Sequence, residues 1–194
     1  MKNRHRLTRA HRIAGGVAAA AFAAVGIGVA ALPAGAASTL SAELSADQSQ
    51  ASDQNGVPEA IRVPDGFKRI AEMSSRGVQT YQCTNGVWTF LQPDAILQFD
   101  GRAQVLHTRG PVWTSVIDGS SVSATVVVGS APSEDAIPQL LLSSTANRGP
   151  GLLAAVKFVQ RLDTTGGLSP TGACADGTTA SIPYTADYAF WVKA

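Results

Sequence analysis

The stretch HTRGPVWTSVIDGSSVSATVVV, His107 to Val128, decides the fold. Asp118-Gly119 has the composition of a two-residue hairpin turn, and apolar and hydroxyl residues alternate on both sides of it. With a turn of that length Ile117 meets Ser120, Ser115 meets Val122 and Trp113 meets Ala124. One face then collects Trp113, Ile117, Val122, Ala124 and Val126. The other collects Val112, Thr114, Val116, Ser121, Ser123 and Thr125. A period of two with one apolar face reads as a half-buried antiparallel ribbon, and a slip of one residue would turn Trp113 to solvent. Trp113 is expected as a core anchor rather than a ligand platform.

The same signals recur on both sides. Phe67–Met73 and Val78–Cys83 bracket Ser-Ser-Arg-Gly, read as a turn. Val87–Leu91 follows Asn85-Gly86, and Ala95–Phe99 ends at Asp100-Gly101. Ala103–His107, Val112–Ile117, Val122–Val128, Val156–Leu162 and Ile182–Val192 complete the strand set. Short strands with turn signals every eight to twelve residues argue for one mainly β domain, an antiparallel sandwich or barrel. Asp135–Ala146 reads equally as a strand or as the one short helix, opened by Pro138.

The N-terminus is of another kind. Five basic residues, Lys2 to Arg12, precede an uncharged Ala- and Gly-rich run, Ile13 to Leu32, and small residues follow to Ala37. These are the parts of a secretory signal peptide, residues 1–36. Residues 37–56, rich in Ser, Ala and Gln, read as a flexible tether, and 57–194 as the domain. The chain has 15 basic and 14 acidic residues. Loss of the leader removes five basic and no acidic ones, so the exported protein is mildly acidic. No basic patch suggests nucleic acid, and nothing suggests a membrane once the leader is cleaved. Outside the cell the two cysteines, Cys83 and Cys174, are expected to form a structural disulfide. With no CxxC and one histidine beyond the leader they make a poor metal set, so no metal is expected.

Seven motifs occur in order: GVQTYQC (Gly77–Cys83), the Trp of GVW (Gly86–Trp88), GPVW with DGSSV, AIPQLLL, VQRLDTTGGLSP, GAC and IPYTADYAFW. On these the chain resembles the secreted bacterial and fungal proteins grouped as domain of unknown function family 3455, from Gly66 to Trp191. The resemblance implies secretion and these domain limits. It supplies no catalytic residue. A tryptophan is expected after AIP, where this chain has Gln139. Some fungal members carry a dehydrogenase label, but no Gly-rich fingerprint on a βαβ unit occurs here, and no cofactor is implied.

Chemistry-bearing residues are few. His107 is the only possible imidazole base. Asp118 and Ser120 are nearby in sequence, but a strand separates them from His107, so a local Ser-His-Asp set is not expected. His107 is read as a loop residue capping the turn before Arg109-Gly110-Pro111. Asp187 lies inside the last strand and is expected to pair with Arg161. The last strand should divide into Thr185, Asp187, Ala189 and Trp191 on one face and Tyr184, Ala186, Tyr188 and Phe190 on the other. Trp88, Tyr184, Tyr188 and Trp191 are the candidate aromatic contacts for a sugar polymer. Two functions are carried forward. The first is a non-catalytic binding or cell-surface-associated domain, its partner a cell-wall or extracellular polysaccharide. The second is a secreted hydrolase using His107, Asp187 or Arg161.

Overall fold

A computed structural model describes residues 54–130 and 133–194. The leader and residues 37–53 of the expected tether lie outside the described residues. Eight strands follow one another: β1 (Phe67–Thr84), β2 (Val87–Phe99), β3 (Arg102–Thr108), β4 (Val112–Ser115), β5 (Ser121–Gly129), β6 (Leu140–Arg148), β7 (Phe158–Gly166) and β8 (Thr179–Lys193). Each pairs antiparallel with the next, and β8 returns to β1, closing an up-and-down barrel. Of the two expected architectures the chain forms the barrel. The ambiguous Asp135–Ala146 segment ends in β6 rather than a helix. The helical content of the described residues is one 3-10 turn, Glu59–Ile61.

Two turns form as their sequences predict. Asn85 and Gly86 (φ 54° and 74°) join Thr84 to Val87, and Asp100 and Gly101 (φ 49° and 71°) join Phe99 to Arg102. Positive φ at both central positions matches the right-handed twist of the flanking strands. The third turn differs. Trp113 pairs with Val122, not Ala124, and the Ser115 amide donates to the Ser120 carbonyl at 2.8 Å. The loop therefore spans four residues. The Ser115 hydroxyl accepts from the amides of Ile117 and Asp118, and the Asp118 carboxylate accepts from the Ser120 amide. These bonds hold the wider loop. A two-residue shift keeps parity, so Trp113, Val122 and Ala124 still point inward. Ile117 leaves the expected core face for the loop and is 69% exposed, and Val126 stands 51% exposed at the barrel's rim.

The expected Ser74–Gly77 turn is absent. β1 runs unbroken through it, paired with β2 on one side and β8 on the other. Gly77 serves a close approach instead. A Cβ there would lie 2.2 Å from the Asp94 carbonyl oxygen and 2.5 Å from the Ala95 Cα. Glycine inside a strand commonly marks such a contact.

Inward side chains fill the barrel unevenly. At the end where β4 turns into β5, segment 149–157 inserts Leu153 and Val156, both fully buried. The DGS turn holds this plug. Asp118 Oδ2 accepts the Leu152 amide at 2.9 Å, Ser120 Oγ accepts the Leu153 amide at 3.0 Å, and Ser120 Oγ donates to Asp118 Oδ1 at 2.6 Å. Asn147 donates to the carbonyls of Leu153 and Val156. At the other end the Cys83–Cys174 disulfide ties the β1–β2 hairpin to the β7–β8 loop, and the Tyr81 hydroxyl donates to the Gly167 carbonyl.

A second apolar cluster lies outside the barrel wall. Leu141, Leu162, Ala189 and Trp191 are covered there by Ile61 and Val63. Gln160 Nε2 donates to the Ile61 carbonyl, Trp191 Nε1 donates to Gln160 Oε1, and Gln54 bonds both ways with Val63. Gln54, within the expected tether, is thus buried against the domain.

Gly77→Ala is expected to cost about 2–3 kcal/mol in chemical denaturation, since the clash is with backbone that cannot rotate away. Asp118→Ala should leave the barrel folded but loosen the plug. Amide exchange at Leu152 and Leu153 should rise on the order of tenfold, with β1 and β8 unchanged. Uniform acceleration across all strands would contradict the local clamp.

Candidate functional site

The unplugged end opens into a cavity of about 340 Å³. Its apolar wall comes from Phe90, Leu91 and Pro93 of β2, Pro111, Val126 of β5, and Leu140 and Leu142 of β6. Its polar groups are Gln79, His107, Arg109, Trp113, Arg161 and Tyr188. Arg109 lies in the β3–β4 turn, and the others come from strands far apart in sequence. Closure converges them because the inward-facing set of every strand shares one interior.

His107 is not the loop residue expected. It lies in β3 opposite Trp113, only 3% exposed. The imidazole stacks parallel on the Trp113 ring, with centroids 4.3 Å apart, and meets the edge of Tyr188 at 5.3 Å. Its Nδ1 lies 3.1 Å from the Val112 carbonyl oxygen. A carbonyl only accepts, so Nδ1 carries the proton and Nε2 is left as an acceptor. Burial pushes the His107 pKa down to about 4, helped by the nearby Arg161 charge and opposed by the Val112 carbonyl and Asp94. The ring is neutral at physiological pH.

Arg161 also points inward, from β7, opposite Tyr188 and Leu140. Its Nε and Nη2 both donate to the Pro138 carbonyl, at 3.0 and 2.7 Å. Its charge depresses the His107 pKa and offsets part of the burial that raises the Tyr188 phenol. The expected Asp187–Arg161 pair does not form. Leu162, not Arg161, is the partner of Asp187 in register, and strand alternation puts the two side chains on opposite faces of the wall. Asp187 lies outside, where partial burial and the charges of Asp163 and Glu72 raise its pKa.

Gln79 and Trp113 complete the site. Gln79 is 2% exposed, and among the described residues its Nε2 has no hydrogen-bond partner; neither has Trp113 Nε1. A buried donor left unpaired costs about 1–3 kcal/mol. Two such donors on residues that line one cavity are therefore unusual. Gln79 was not singled out from sequence. The signal lay in β1's alternation, where Met73, Ser75, Gln79, Tyr81 and Cys83 share the buried face.

The expected aromatic platform is not assembled. Tyr184 and Tyr188 point into the barrel with hydroxyls 3.3 Å apart, and Trp191 is buried under the N-terminal segment. Trp88 alone of the four is partly exposed. The two faces expected for β8 are nonetheless those observed. Ser120 bonds Asp118 at the plugged end, away from His107, so the DGS run and the histidine belong to different structures. Gln139 faces out of the barrel wall, its side chain accepting the Asp163 amide at 3.1 Å, so a tryptophan's absence there leaves the cavity intact.

His107 makes stability pH-dependent in a defined window. Its folded pKa, about 4, lies below the ordinary 6.5. As pH falls through 6.5 the unfolded chain takes up a proton that the folded chain refuses, and stability drops until both states are protonated below pH 4. The loss from this group is about 3 kcal/mol. His107→Phe, which keeps a flat ring against Trp113, should flatten the unfolding free energy between pH 6.5 and 4. A variant with the slope of the native protein would contradict a buried neutral imidazole.

No curated protein and no solved structure matches the chain. A family model described as "Protein of unknown function (DUF3455)" matches residues 64–192. The match runs from just before β1 to the end of β8, covering the barrel and the whole cavity, and the chain belongs to that family.

Proposed function

We propose that this is a secreted, non-catalytic binding protein that holds a small, largely apolar molecule in the open mouth of its barrel. One observation carries the reading: a concave cavity of about 340 Å³, walled mainly by apolar side chains, on which a few fixed polar groups converge. That is the usual composition of a small-molecule site, and the mouth of an eight-stranded barrel is a usual place for one. Export is supported by the leader-like N-terminus and the disulfide.

The hydrolase reading has less support. A base needs a nucleophile or an orienting acid within hydrogen-bond reach. His107 has the Val112 carbonyl at Nδ1 and rings against its faces. The polysaccharide reading needs rings on an open surface, and three of its four candidates are buried.

The test uses N-phenyl-1-naphthylamine, a neutral apolar fluorophore, added to the exported domain. Saturable enhancement with energy transfer from tryptophan is expected. Val126→Trp narrows the rim and should weaken binding on the order of tenfold without lowering Tm. Non-saturable signal, or binding indifferent to Val126→Trp, would count against this site.

A further inference from the structure

Resting on that reading, we infer the ligand's chemical class: a small carboxylic acid with an apolar body of about two rings, its carboxylate seated among Arg161, Gln79 and Trp113. The donor pattern points there. Gln79 Nε2 and Trp113 Nε1 are buried N–H groups without partners among the described residues, and both residues contribute to the cavity wall. Arg161 spends Nε and Nη2 on the Pro138 carbonyl and also bonds the Tyr188 hydroxyl. Its Nη1 is free of any carboxylate among the described residues. The cavity wall carries two cations, Arg109 and Arg161, and no Asp or Glu. The Arg161 guanidinium is part-buried and has no counter-ion in the cavity wall, and an incoming carboxylate would give it a charge-assisted bond. A neutral amide would satisfy the orphaned donors but not the charge. An ammonium group would meet Arg161 with like charge. His107 lines the same cavity and, being neutral, adds no further charge.

The size follows from the volume. An apolar cavity of about 150 Å³ accommodates benzene, so 340 Å³ suits a body of about two rings. Trp113 and Phe90 supply aromatic surface. Arg109 at the mouth favours entry of an anion over a cation, an effect that added salt screens.

The experiment displaces N-phenyl-1-naphthylamine with three compounds of one shape: 1-naphthoic acid, 1-naphthamide and 1-naphthylmethylamine. At pH 7.5 the acid should bind at least about tenfold tighter than the amide, and the amine weakest. Arg161→Gln should remove the acid's advantage while amide affinity stays within about twofold. Because Arg161 also anchors Pro138, this variant can lose its fold. Gln79→Met then carries the test, weakening the acid severalfold with circular dichroism unchanged. Acid and amide binding equally, or the amine tightest, would overturn the carboxylate assignment while the cavity's role as a binding site stands. If the fluorophore itself finds no saturable site, both readings fall. An acid preference that survives Arg161→Gln and Gln79→Met in folded variants would also overturn the assignment.

Discussion

Everything in this molecule depends on the pairing of β8 with β1. Without it the eight strands are an open meander with two edges. With it, each strand's alternation gains an inside and an outside. β1 makes this possible by its length, 18 residues spanning the barrel with a partner on both sides. At Gly77 β2's backbone occupies the space a side chain would need, so the two strands approach closely there. A segment that looks like a turn is therefore a continuous part of the strand on which closure depends.

Closure also divides the interior. One end is packed, because segment 149–157 is drawn in and Asp118, Ser120 and Asn147 bond its backbone groups. The other end retains a cavity and polar groups that are not all satisfied. Buried polar atoms are normally paired. The contrast within one barrel separates satisfied polarity from unsatisfied polarity. Asp118, held well below the usual carboxylate range by Ser120 and the Leu152 amide, has its hydrogen bonds met and belongs to the first kind. Gln79 and Trp113 belong to the second.

Local chemistry was legible where it acts locally. Asn85-Gly86 and Asp100-Gly101 make the turns their residue types demand, and the alternation of β8 separates its faces as read. Errors arose where a residue's role is set by a distant partner. Asp118-Gly119 has the right composition for a two-residue turn, but Ser115 and Asp118 bond the backbone into a wider loop. His107 precedes Arg-Gly-Pro and so looked like a loop residue; its pairing with Trp113 across β3 and β4 makes it interior. Asp187 and Arg161 are adjacent strand residues of opposite charge, yet one register position decides that they never meet. The four aromatic candidates were right as large apolar groups and misplaced as a surface, since with 12 aromatics in 194 residues the barrel interior and its outer cluster take most of them.

By itself the sequence determined the β class, two hairpins, the cysteine pairing and the inward direction of Trp113. These follow from period-two alternation, turn chemistry and a count of two cysteines, all local or compositional. Tertiary structure alone decided that the sheet closes, which end is plugged, and that Gln79, His107, Trp113 and Arg161 share one cavity. The reason is geometric. Convergence of four residues spread over more than eighty positions depends on strand register summed around the barrel, and no short window of sequence carries that sum.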